Sequence, residues 1–424
     1  MTAHIARRDD NERMSRRSPE RRTLPVRLLA LGALVYVGAA LLIVWIGSDR
    51  EPAGEGVADA AIAVVGPAET VFDWSSQACG PLHIPDLPAR AFRDYRDRVQ
   101  LLLPSYVNRR MIGPSLDRVD ADCGVTMRST RDPDPAAFDD REWIASVFSR
   151  NGRDVAALVH EEYQGHQHPG RCPSGVYERC WYNAITFAGS TDGGRSFHEP
   201  PLPRRLIASS PRRYMPDAGA VGLFAPSNIV RNPDDGLYYA IVQTKEPEDE
   251  TRGSCVIRTP NPASPSSWRA WDGDGYGLEF ADPYDSATPE ACEPVATAEI
   301  SEMHESLTYN TYLDRFVLVG LSTAPRLAGR ERVTGVYFSL SSDLINWTPR
   351  KLVMETRSRH SFECGDADPI GYPSLLDPDS HSRTFETTGR DPYLYYTQFN
   401  YSDCTQTLDR DLVRVPVEVF AQEP

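Results

Sequence analysis

The sequence predicts an all-β protein, a five-bladed β-propeller preceded by a single N-terminal transmembrane helix. Three observations predict it. One short plan recurs five times after residue 80: a polar or charged opener, alternating apolar residues, a tight turn and a second, aromatic-rich run. Helical periodicity is weak, whereas Tyr, Val, Trp and turn residues recur at the roughly 8–12-residue spacing of short strands. Near the N-terminus, nineteen residues from Leu28 to Ile46 carry no charge. Units that bury their faces only against neighbours make a radial β architecture, in which the first strand of every unit borders one central funnel.

The elements follow in chain order. Residues 1–27 hold eight arginines against four acids and read as a cytoplasmic tail. Residues 28–47 read as the anchor, since about nineteen residues at about 1.5 Å each span a hydrocarbon core. The arginines before it place the following chain outside the membrane, periplasmic or extracellular. A cleaved signal peptide is the alternative, with Ala58-Asp59-Ala60 resembling a cleavage site, but that site lies roughly a dozen residues past the apolar run. Residues 48–75, rich in Ala, Gly and Glu, read as a tether, and residues 76–424 as the propeller. Its repeats begin at Ala89–Phe92, Trp143–Val147, Pro226–Ile229, Glu305–Thr308 and Tyr372–Leu376. Each leads to a second run: Val99–Leu103, Asp154–His160, Leu237–Val242, Arg315–Val319 and Tyr393–Thr397.

Three segments read as outer turns. Ser190-Thr191-Asp192-Gly193-Gly194-Arg195-Ser196-Phe197 fits the Asp-box, in which the Asp caps backbone N–H groups, a Gly takes positive φ and the aromatic plugs a gap between sheets. Ser341–Trp347 is a glycine-free relative, and Ser266–Trp271 a third hairpin. All eight cysteines follow the apolar run, which points to disulfides in an oxidising compartment. Cys172 and Cys180 are the first pair expected; a zinc site with His160, His166 and His168 is the competing reading, although no ligand spacing supports it. A net charge of −15 without a basic stripe excludes a nucleic-acid partner, and no phosphate-binding Gly-rich loop is present.

With these turns, the chain resembles the five-bladed β-propeller glycosidases, the arabinanase, β-xylosidase and invertase-like group, as a divergent member. The resemblance covers roughly residues 80–420 in architecture and only short motifs in sequence. It implies three carboxylates at the inner ends of blade strands, because hydrolysis needs one group to protonate the leaving oxygen and another to attack or activate water. The catalytic candidates are Asp86 before blade 1, Glu162 in blade 2 and Glu305 in blade 4. Arg90 is expected to pair with Asp86, and His160 to share a strand face with Glu162 while Glu161 takes the other. Asn228 stands where the family carries an acid in blade 3, and it cannot donate a proton as a carboxylic acid does. His304 and Tyr372 complete the substrate-binding set, with Ser374, Asp366 and Asp368 nearby. Trp181, Tyr182, Tyr214, Tyr276 and Tyr284 are aromatics of a kind that stack on sugars or pack between blades.

Three functions follow as expectations. The first is a membrane-anchored, extracytoplasmic glycoside hydrolase-like protein whose partner is a carbohydrate. The second is a non-catalytic glycan- or partner-binding propeller, which the missing blade 3 acid favours. The third is a sialidase-like enzyme, which would need three arginines and a Tyr–Glu pair, and whose propellers have six blades. No cofactor is expected, and whether a divalent ion sits in the funnel is left open by the sequence. A Ser-His-Asp mechanism lacks its nucleophile elbow.

Overall fold

Five antiparallel units of at least four strands follow one another along the chain; the repeated segments open blades 1, 2, 4 and 5, whereas Pro226–Ile229 falls between the first two strands of blade 3. The computed structural model describes residues 60–247, 252–285, 290–325, 332–359 and 361–421. Blade 1 consists of Arg90–Arg93, Val99–Leu103, Val107–Ser115 and Arg118–Arg128; blade 2 of Arg141–Phe148, Val155–Gln164, Cys180–Ser190 and Leu206–Ser209. Blade 3 opens with Gly219–Phe224 and Val230–Arg231 and continues through Tyr238–Lys245, Arg252–Thr259 and Arg269–Ala270. Blade 4 runs through Ser306–Asn310, Arg315–Pro325, Arg332–Ser341 and Lys351–Glu355. Blade 5 comprises Ile370–Leu376, Tyr393–Ser402 and Thr405–Phe420, with Ala61–Val64 as its outermost strand.

That last strand corrects the expected boundaries. Ala61–Val64 pairs with residues 417–420, and Glu69–Phe72 pairs with residues 412–414 of the same long strand. The tether expected over 48–75 therefore overlaps the fold, which begins near residue 60 rather than 76. The tail at 1–27, the anchor at 28–47 and the first part of the tether lie outside the described residues. Among the described residues, no helix is long and apolar enough to cross a membrane.

Packing makes the five sheets a ring. Phe92 and Leu102 of blade 1 pack on Ile144, Val155 and Ala157 of blade 2. Leu158 and Ile185 of blade 2 meet Leu223, Val242 and Ile257 of blade 3. Ile241 and Val256 meet Leu307 and Leu318 of blade 4, whose Val317 and Phe338 meet Leu375, Leu394 and Val413 of blade 5. Tyr395 and Leu412 of blade 5 return to Ala91, Leu101 and Met111 of blade 1. Every sheet is thus apolar on both faces, as a propeller requires. Blades 2 and 3 are also joined edge to edge, because residues 219–222 pair in parallel with 180–183. Gly222, at φ 114°, makes this possible: a Cβ there would stand 2.1 Å from the Asn183 carbonyl oxygen.

Serines hold the inner strands together. The Ser146 hydroxyl accepts from the Ile229 N–H, and the Ser306 hydroxyl accepts from the Leu375 N–H, each link crossing between blades. The outer turns are as expected. The Asp192 carboxylate accepts from the Arg195 and Ser196 N–H groups at 2.9 and 3.0 Å, and Phe197 is buried between blades 1 and 2. Asp343 caps Ile345 and Asn346 in the same manner, and Trp347 is buried between blades 3 and 4. Four disulfides join Cys79–Cys123, Cys172–Cys180, Cys255–Cys292 and Cys364–Cys404. The pair at 172 and 180 removes the thiolates that a zinc site would have used.

Candidate active site

Chemistry gathers where the inner strands of blades 1, 2, 4 and 5 open. Asp86, on the loop before blade 1, accepts from the Tyr372 hydroxyl at 3.2 Å and from the Trp143 indole N–H at 3.3 Å. It also forms an ion pair with Arg410, which blade 5 delivers from its long third strand. Glu162 lies in the second strand of blade 2 and is nearly buried. His160 Nε2 stands 3.1 Å from its carboxylate, the Gln164 amide donates to it at 2.8 Å and the Tyr177 hydroxyl at 3.2 Å. His160 and Glu162 share one face, as two-residue alternation demands, and Glu161 takes the other.

The two carboxylates belong to one electrostatic unit. Burial and then the charge of Glu162 push the Tyr177 hydroxyl far above its ordinary range, with Tyr372 and Asp86 adding to the effect. Burial followed by the charge of Asp86 pushes Tyr372 up in the same way. Arg359 is held above its usual value by Tyr372 first, with Asp86, Tyr177 and Glu162 contributing against the opposing effect of burial. Trp181 stacks on Tyr177 at 4.9 Å between ring centres, and its edge meets Phe224. Next to this group is a cavity of about 170 Å³ lined by His304, Glu305, Arg359, Tyr372 and Phe399. That is smaller than the roughly 300–1,000 Å³ of drug-sized ligand pockets, so it suits one small group rather than an extended chain.

Three expected roles change. Arg90 does not pair with Asp86; Arg410 does. The Arg90 guanidinium is fully buried on the axis and donates to the Ser374 hydroxyl at 3.0 Å, the Pro226 carbonyl at 3.4 Å and the Glu305 carbonyl, tying blades 1, 5, 3 and 4. Asn228 is buried between blades 3 and 4, where its side-chain oxygen accepts from the Ser306 hydroxyl at 3.4 Å; it does not line the cavity. Glu305 lines the cavity, but its carboxylate turns back on the backbone and accepts from the His304 N–H at 3.1 Å and the Leu321 N–H at 3.0 Å. His304 itself lies 2.9 Å from the Glu302 carbonyl through Nδ1. Asp366 pairs with Arg357 and Asp368 accepts from the Tyr401 N–H, so both brace a loop.

Sequence reasoning missed Tyr177, Arg359, Arg410 and Trp143. Tyr177 and Arg359 sit in connections, and Arg410 follows Asp86 by 324 residues, so no spacing links them. Of the five aromatics singled out, only Trp181 joins the group. Tyr182, Tyr214 and Tyr284 pack around Phe138, and Tyr276 packs on Tyr239 and Trp271.

No protein-family profile and no curated protein matches the chain. Solved structures do resemble it. Sucrose-6-phosphate hydrolase from Lactobacillus gasseri is 12% identical with a TM-score of 0.45, over 80% of this chain and 62% of that one. An endo-arabinase from Bacteroides thetaiotaomicron is 13% identical with a TM-score of 0.42, over 84% and 98%. The α-L-arabinanase of Cellvibrio cellulosa, complexed with arabinohexaose, is 11% identical with a TM-score of 0.39, over 84% and 90%. Identities this low transfer no residue role to this chain.

Proposed function

We propose that this protein acts on a carbohydrate by glycoside hydrolysis, with Asp86 and Glu162 as the working carboxylates. One observation carries the reading. Carboxylates from two different blades bracket the same Tyr177–Tyr372–Arg359 group beside an axial cavity. Hydrolysis of a glycosidic bond needs two such groups on opposite sides of the reacting centre. Asp86, matched by Arg410 and two neutral donors, suits the role of a fixed anion that attacks the oxocarbenium-like centre or activates water. Glu162, adjoining His160 and Tyr177, suits proton delivery to the leaving oxygen. Trp181 and Tyr177 supply ring faces of the kind on which sugar C–H groups stack. Glu305 drops out as the general acid, since two backbone donors satisfy its carboxylate, and becomes a wall of the cavity.

The test is Asp86→Asn and Glu162→Gln, each assayed on aryl-glycosides and a glycan panel. Either change should reduce turnover at least a thousandfold, order of magnitude, with Tm nearly unchanged. Wild-type protein that binds a glycan but never hydrolyses one would overturn the catalytic reading. It would favour instead a glycan-binding propeller, a second reading that Asn228 in place of the expected blade 3 acid and the capped Glu305 both support. The sialidase-like reading gains a Tyr–Glu pair in Tyr177 and Glu162, but the described group offers two arginines, Arg359 and Arg410, on a ring of five sheets.

We also place the protein outside the cytoplasm, anchored through residues 28–47. The support is the nineteen-residue apolar run, its arginine-rich flank and four disulfides, which persist in oxidising compartments. Protease digestion of intact cells should remove the C-terminal domain; protection of that domain would refute the topology.

A further inference from the structure

The other face of blade 2 carries a second cluster of acids that the axial site does not use. Glu142 and Glu161 are directly opposite one another across the first two strands of the blade, so their side chains leave the same face of the sheet. Glu199 joins them from the connection to the fourth strand, and Asp139 from the residue pair ahead of the first. One carboxylate oxygen from each of Asp139, Glu142 and Glu199 lies within 4.8 Å of the other two.

Two further facts point to a ligand. Glu142 and Glu161 are each only 1–2% exposed, yet Oε1 of Glu142 and Oε2 of Glu161 have no hydrogen-bond partner. A buried, unpaired carboxylate oxygen is costly unless something else meets it. The charges are also out of balance. Asp140 is matched by Arg141 at 2.9 Å and by His168 at 2.9 Å, and Arg205 serves both Asp139 at 2.6 Å and Glu199 at 3.2 Å. Against five carboxylates the described residues therefore set two arginines and one histidine.

The geometry points to a calcium-binding site on blade 2, held by Asp139, Glu142 and Glu199 with Glu161 adjoining. All the donors are hard oxygens, and ligands on opposite sides of Ca²⁺ stand up to about 5 Å apart, twice the usual 2.3–2.6 Å bond. Mg²⁺, at about 2.1 Å, needs a tighter octahedron. Arg205 and the Thr186 hydroxyl, which donates to Glu199 at 2.9 Å, orient the outer oxygens and leave lone pairs free. The ion would join strands of blade 2 to its outer loops, a stabilising role separate from the axial chemistry and independent of it.

The experiment uses the full-length chain, stripped with EDTA and titrated with CaCl₂ in a calorimeter and in thermal melts. One Ca²⁺ per chain, a Tm that climbs with CaCl₂ and loss of both effects in Glu142→Gln would bear the site out. Asp139→Asn, at the more exposed side of the cluster, gives a milder variant that should still fold; it should weaken Ca²⁺ binding by roughly tenfold or more. No heat and no Tm change at millimolar CaCl₂ would overturn the proposal, as would Ca²⁺ binding that both variants leave unchanged. In the first case a proton shared between Glu142 and Glu199 fills the role.

Discussion

At the residue scale, this chain separates groups that work from groups that hold, and chemical type alone does not say which is which. Arg90 and Arg410 illustrate it: one is buried among two carbonyls and a serine hydroxyl from three other blades, the other meets a carboxylate at the axial site. Arg90→Met should cost about 3 kcal/mol or more, because each buried acceptor left unpaired costs about 1–3 kcal/mol. Urea unfolding at neutral pH measures it, and a loss under about 1 kcal/mol would show that the clasp is dispensable. His83 gives a pH dependence. Its Nδ1 accepts from the Cys79 N–H at 3.1 Å, its ring lies on Phe72, and burial, with Arg109 next, lowers it from 6.5 to about 4. The folded state therefore binds fewer protons than the unfolded state between these values, so stability present above pH 6.5 is lost as pH falls toward 4. His83→Gln should flatten that part of the stability–pH curve; an unchanged slope would place the effect on other groups.

At the element scale, the outer turns show two solutions to one problem. Gly193 and Leu344 occupy the position after the capping Asp, at φ 78° and 68°. Leu344 pays roughly 1–2 kcal/mol for a left-handed backbone, but its side chain is fully buried, which contributes about 1.5–3 kcal/mol. Leu344→Gly should therefore destabilise slightly rather than relieve strain. Asp192→Ala should be worse, near 2 kcal/mol, because one carboxylate serves two backbone N–H groups and two serine hydroxyls. The disulfides should rank by loop length. Reducing and blocking the 8-residue Cys172–Cys180 loop costs roughly 2.5 kcal/mol by chain entropy, and the 44-residue Cys79–Cys123 loop roughly 4 kcal/mol. Serine pairs at each site, compared in denaturant, check that order.

At the scale of the whole molecule, closure is the decisive contact. Blade 5 borrows its outermost strand from Ala61–Val64, so the two ends of the described chain complete one sheet. A chain starting at residue 76 would expose the edge of Thr405–Phe420 and strip Ile62 and Phe72 from two inter-blade clusters. It should melt well below a chain starting near residue 58 and aggregate through the bared edge. Equal melting temperatures would show that closure is not needed for stability.

Four of the five strand openers, three outer turns and the pairing of Cys172 with Cys180 were readable in the sequence, because each rests on alternation, turn chemistry or short spacing that neighbouring residues carry themselves; the fifth, Pro226–Ile229, is a connection inside blade 3. The shared face of His160 and Glu162 was readable for the same reason. The closing strand was not, since Ala61-Ile62-Ala63-Val64 is short and its partner lies some 350 residues away. Nor were the partners of Asp86, the burial of Asn228 or the backbone caps on Glu305. Those depend on which strands meet at the axis, and only the closed ring, with its hydrophobic interfaces setting every blade against the next, brings distant side chains within hydrogen-bonding reach.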